Sequence, residues 1–171
     1  MYQVGALLVY GIHGVCRVLE EEQRVVDRKK VTYLVLEPVG QEGAKFLVPT
    51  HNAAAMAKLR PLLGREELTE LLESSRIRQE EWIQDENRRK QLYRELIGSG
   101  DRERLLAMIC SITRHKQAQL AAGKKCHLCD DNFLRDAEKL FCGEISMVMD
   151  MEPDMARIYL HRKLNEKTLR D

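Results

Sequence analysis

Apolar positions in the first third of the chain come in short runs cut by glycine, whereas from Glu66 onward they recur at helical spacing. The early runs are Leu7-Leu8-Val9-Tyr10, Gly14-Val15-Cys16-Arg17-Val18-Leu19, Val31-Thr32-Tyr33-Leu34-Val35-Leu36 and Lys45-Phe46-Leu47-Val48-Pro49. Rich in β-branched residues and without helical spacing, they predict four strands. Gly11-Ile12-His13-Gly14, Asp27-Arg28-Lys29-Lys30 and Gly40-Gln41-Glu42-Gly43 supply turn chemistry between them, and links this short imply antiparallel neighbours. Pro49 closes the fourth strand, and His51-Asn52 can cap one helical turn through Ala53 to Ala57. Lys58-Leu59-Arg60 then returns as a fifth short strand. The reading is a small Tudor- or SH3-like antiparallel β-barrel.

Beyond it the period is 3.6 throughout. Leu68, Leu71 and Leu72 come first, then Trp82, Ile83, Tyr93, Leu96 and Ile97. Gly98-Ser99-Gly100-Asp101 interrupts, with a glycine C-cap and with Ser99 or Asp101 opening the next helix, which carries Leu105, Leu106, Ile109, Ile112 and Leu120 and ends at Gly123. A further helix is expected from about Cys129 through Met147, opened by Asp130-Asp131, and Glu152-Pro153-Asp154 opens the last. The fold class is α+β: a β domain over residues 1–62, then a C-terminal all-helical bundle over 63–171, divided near Pro61 to Gly64.

Composition narrows the function. An apolar share of 44% and a charged share of 32% suit a soluble, helix-rich globular protein. A net charge of +1 gives no overall pull on a polyanion, so nucleic-acid contact has to come from local clusters of Lys and Arg. No apolar run reaches the roughly eighteen residues a membrane span needs, and Met1 leads into Val4-Gly5-Ala6 without a basic leader, so the protein is expected in the cytoplasm and not at a membrane. Five irregularly spaced cysteines argue against a disulfide framework.

Several residues invite chemistry. Cys126-His127-Leu128-Cys129 has zinc or redox spacing, yet no second such pair follows, and Cys110 and Cys142 would have to complete a tetrahedral site; reduced thiols at a helix start are the other reading. The phosphate-cradling and hydrolytic signatures are missing, and the five histidines show no motif pairing with Ser, Cys or acidic residues, so no enzyme and no cofactor is expected. Trp82, the sole tryptophan, stands among Glu80, Glu81, Asp85 and Glu86. It is either a core or domain-interface anchor or an exposed ring that wedges into a distorted base step. Arg88, Arg89 and Lys90 follow, and on a continuous helix Arg89 shares nearly the face of Trp82. A second stretch, with Arg114, His115, Lys116, Lys124 and Lys125, holds no acidic residue, so the two clusters form either a phosphate-tracking surface or solvated helix faces.

In their order, Gly5, Val9-Tyr10, His13-Gly14, Tyr33-Leu34-Val35-Leu36, Val48-Pro49, Asn52-Ala53 and Leu59-Arg60, then Trp82, Ser99-Gly100-Asp101 and Ala137-Glu138-Lys139-Leu140, resemble the CarD-like family of bacterial transcription regulators over nearly the whole chain. The resemblance implies an N-terminal Tudor-like module, shared with transcription-repair coupling factors, that binds the RNA polymerase β subunit. It also implies a helical domain that contacts promoter DNA at the upstream edge of the transcription bubble and alters open-complex stability. Trp82 then takes the minor-groove wedge, supported by Arg88, Arg89 and Lys90, while Arg114, Lys116, Lys124 and Lys125 are DNA-backbone candidates from their clustering alone, and Arg24, Lys45, Phe46 and Leu47 are candidates for the polymerase face. The protein would sit at the nucleoid through RNA polymerase. Two departures stand out: Gly11, where the family usually has proline, and Leu47, at a position basic in some members. The alternatives are a polymerase-docking module without DNA contact and a zinc- or thiol-dependent protein using Cys126 and Cys129.

Overall fold

The computed structural model describes residues 2–166. Its order is β1 (Leu7–Tyr10), β2 (Val15–Val26), β3 (Lys29–Pro38), β4 (Phe46–Pro49), α1 (Ala53–Met56), β5 (Leu59–Pro61), α2 (Arg65–Glu73), α3 (Glu86–Ser99), α4 (Arg102–Ala121), α5 (Leu128–Met149) and α6 (Pro153–Glu166). The chain divides into two compact units, Met1–Leu62 and Leu63–Asp171. The fold is α+β.

The N-terminal unit is one antiparallel sheet in the order β4-β3-β2-β1-β5, its ladder open between β4 and β5. Strand alternation puts Leu8, Cys16, Val18, Leu34, Leu36, Val48 and Leu59 on one face as a core. The cross-strand pairs Val9–Val15 and Val35–Leu47 belong to the other face. Asn52 caps α1 by accepting from the Ala55 N–H at 3.1 Å.

Two details depart from the sequence reading. β2 and β3 run well past the expected runs into a two-stranded ribbon whose tip is the two-residue turn Asp27-Arg28, both at positive φ (49° and 62°), so Lys29 and Lys30 belong to β3 and not to the turn. The ladder shifts register between Val18 and Glu20, which leaves Leu19 as a bulge at the root of the ribbon. Gly11, in place of proline, has φ +47° and donates its N–H to Lys58 O at 3.0 Å. Proline has neither that N–H nor access to that φ, so this turn is built for glycine.

In the helical unit the core gathers Leu68, Leu72, Ile77, Tyr93, Leu96, Leu106, Met108, Ile109, Ile112, Phe141, Ile145 and Leu160. Asp85 caps α3 through the Arg88 N–H (2.8 Å) and Asp101 caps α4 through the Arg104 N–H (3.1 Å), while Gly100 takes the left-handed C-cap of α3. The unit is not helical throughout. Ser74 ends α2, a 3-10 turn follows at Arg76–Arg78, and residues 79–85 run irregularly into α3. The Arg78 guanidinium fixes this break by donating to the carbonyls of Ser74 (2.9 Å), Leu72 (3.3 Å) and Lys163 (3.1 Å). Among the described residues no helix is long and apolar enough to cross a membrane.

Candidate nucleic-acid interface

Trp82 lies in the irregular segment and not on a helix, so the helical-face relation with Arg89 does not hold. The two meet by another route. α3 begins just after the segment, and its Arg89 guanidinium turns back to donate to Ile83 O at 2.7 Å, which places its central carbon 4.3 Å from the Trp82 ring centroid. From α4, the His115 imidazole stacks on the same ring at 3.6 Å and an interplanar angle of 3°. Two groups this close to one centroid clash if they share a side, so they cover opposite faces. Trp82 is therefore half-buried, packed on the helical core, and held with its edge rather than its face available to a ligand.

Arg89 itself is 3% exposed and makes a bidentate pair with Asp130 of α5, both bonds 2.9 Å. Burial opposes its charge, but the bonds and charge of Asp130 outweigh burial and raise its pKa above the ordinary value. A phosphate cannot reach it, so Arg89 is removed from the DNA-contacting set and becomes the support of Trp82. Lys90 pairs with Glu86 one helical turn away, and Lys116 pairs with Asp131 at 2.6 Å. Arg88, Arg114, Lys124 and Lys125 are exposed, with Arg114 also donating to Glu80 O at 3.0 Å. The cationic surface is thus smaller than the sequence count.

Beside the ring lies an open groove of about 540 Å³ between residues 78–82 and the α4 face that carries Ser111, Arg114, His115 and Ala118. His115 and Asp130 are the two residues that sequence reasoning placed without their roles. One counted as part of a basic stretch and the other as a helix opener; both act through contacts far away in sequence, which leave no local pattern.

The stack has a pH signature. His115 is held below its ordinary 6.5, first by burial and then by the positive charges of Arg89 and His127, against the opposing pull of Asp130. The unfolded chain takes up this proton near 6.5, so the stabilisation from neutral His115 is fully present above 6.5 and is lost as pH falls below it through the lower folded value. Because Trp82 is the only tryptophan, its emission against pH should show a transition below 6.5 that His115→Ala removes. A transition at or above that value would contradict the stacked, neutral imidazole.

The polymerase-face candidates belong to the N-terminal sheet. Phe46 and Leu47 start β4, an edge strand with one side of its backbone unpaired by any other strand. Phe46 sits against His13 (centroids 4.2 Å) and Tyr10 (5.8 Å), while Leu47 is half-buried opposite Val35. Lys45 is exposed, and Arg24 stands exposed on the ribbon, its guanidinium on Glu22 at 2.9 and 3.0 Å.

The cysteines do not assemble a metal centre. All five are free, and among the described residues no three His, Cys, Asp or Glu side chains gather to hold an ion, so Cys110 and Cys142 do not complete a site with Cys126 and Cys129. Burial pushes Cys16 up to about 11, and Cys142 up to about 11 with help from Glu138, far from reactive thiolates. Cys126 donates weakly to Lys116 O at 3.8 Å.

An antiparallel sheet with an open edge strand can take an added strand from a partner protein. Residues 2–62 match the family model of the CarD-like/TRCF RID domain, the span of the N-terminal unit. The N-terminal unit is thus similar to the CarD-like/TRCF RID domain, a likeness that supports interaction with RNA polymerase.

Proposed function

We propose that this protein is a non-enzymatic transcription regulator whose sheet docks on the β subunit of RNA polymerase and whose helical unit contacts promoter DNA at the upstream edge of the bubble, altering open-complex stability. The observation that carries the DNA half is the clamped Trp82, a rigid ring offered edge-on in a unit joined to a polymerase-interacting domain. Docking supports weak DNA contacts by raising their local concentration, so a near-neutral chain with few free cations is adequate. Arg88, Arg114, Lys124 and Lys125, all exposed, are the cations this reading assigns to phosphate. On the sheet, the β4 edge offers unpaired backbone groups for an added strand, with Lys45, Phe46, Leu47 and Arg24 around it.

A second reading has its own support. Arg89 is buried and Lys90 and Lys116 are ion-paired, as expected of a docking module that never touches DNA. Trp82→Ala separates the two. On the first reading the variant still co-purifies with RNA polymerase but loses about tenfold of its effect on open-complex lifetime, the size of one lost base contact. An unchanged lifetime leaves the docking module.

A further inference from the structure

The groove at Trp82 has a composition that phosphate tracking does not explain. Its arginines, Arg78 and Arg114, are balanced by Glu80 and Glu81, and Arg78 already spends its terminal nitrogens on backbone carbonyls. A wall of this kind has no net pull on a phosphate. It suits a flat, neutral heterocycle with mixed donors and acceptors on its rim. About 540 Å³ exceeds what one nucleotide occupies, and the groove is open, so a base still attached to its strand can enter from outside.

One wall is already an aromatic stack. Arg89, Trp82 and His115 form three consecutive layers, and the last of them, the half-exposed imidazole, lines the groove. A fourth flat ring prolongs the series at low cost, because every base has a π face whatever its sequence. The polar rim is at hand: Gln79, Glu81 and Arg114 supply an amide, a carboxylate and a guanidinium on the same groove.

We propose that this groove is a binding site for one unpaired nucleobase, which stacks on His115 as a fourth layer while its phosphates remain outside on the exposed cations. Resting on the DNA-contacting reading above, this makes the site selective for the boundary between paired and unpaired DNA, because a duplex keeps its bases stacked on one another and has none to donate. Trp82, clamped on both faces, is then a fixed back wall that sets where the base sits.

The test uses the full chain and two labelled DNAs of one sequence, a blunt duplex and the same duplex with a few mismatched, unpaired positions. Both are titrated at low salt, where phosphate contacts are strongest, by anisotropy and by Trp82 emission. The bubble DNA should bind roughly tenfold tighter and alone change the Trp82 emission. Ala118→Leu, a substitution on the exposed α4 surface that narrows the groove without touching the core, should bring bubble affinity down to the duplex level, and His115→Ala should do the same by removing the platform. Equal binding of the two DNAs by the parent overturns the base site and leaves DNA contact standing. Failure of the free chain to bind either DNA overturns the base site, while the DNA contact made from the docked polymerase is then decided by the open-complex lifetime of Trp82→Ala. A bubble preference that survives Ala118→Leu and His115→Ala places the base elsewhere and also overturns the proposal.

Discussion

Arg89→Ala is expected to destabilise the helical unit by about 3–5 kcal/mol, the loss typical when one partner of a buried ion pair is removed. The magnitude follows from what is left behind. Asp130, itself 4% exposed, loses two 2.9 Å hydrogen bonds and its only bidentate partner, while the Ile83 carbonyl loses a 2.7 Å donor. Against a typical total stability of about 5–15 kcal/mol, such a loss shifts the unfolding midpoint in urea visibly. Arg89→Met with Asp130→Leu should recover most of it, since apolar replacement of a whole pair is commonly near neutral. A loss below about 1 kcal/mol for the single variant contradicts the buried pair, because that is the range of exposed salt bridges.

The same substitution reaches the candidate interface without touching a ligand. Arg89 covers one face of Trp82, so its removal should increase quenching of Trp82 by acrylamide even where the unit remains folded. A double readout of this kind distinguishes a support of the ring from a phosphate contact. Loss of a phosphate contact would lower DNA affinity and its salt dependence while leaving stability and quenching alone.

The strands were legible in the sequence because a half-buried sheet writes its two faces into alternation, and because the turn at Gly11 needs a residue free of side-chain constraint. The ribbon was not, since Glu20 to Arg24 face water on both sides of a two-stranded element and show no apolar alternation. Trp82 and Ile83 fit a helical period by position, yet the chain there is irregular, held by Arg78 and by the Asp85 cap. The candidate site was legible in part. Its ring and cations stood out by type. Which cations are free, and which imidazole covers the ring, depends on pairs such as Arg89 with Asp130 and Trp82 with His115, formed between helices and without any signature in local spacing.

Glu144→Ala is the other large expected effect. This α5 carboxylate, 3% exposed, accepts from Arg102 Nε at 2.9 Å, from Arg102 Nη2 at 2.6 Å and from the Leu63 N–H at 3.0 Å. It thereby joins the first residue of the helical unit, the first turn of α4 and the C-terminal part of α5, and α4 is the helix that presents Arg114, His115 and Ala118 to the groove. Removing it costs about 3 kcal/mol, the lower end of the range for buried pairs because Arg102 retains some solvent. Glu144→Gln keeps an acceptor for one donor while losing the charge, so its loss should be roughly 1–2 kcal/mol. Urea unfolding of the full chain at low and high salt separates this pair from the surface ones. Screening should leave the Glu144 losses nearly unchanged while erasing any loss from Lys116→Ala, whose partner Asp131 is partly in water. If Glu144→Ala and Glu144→Gln prove equally costly, charge and not hydrogen bonding holds α4 to α5, with the salt independence kept because the pair is buried.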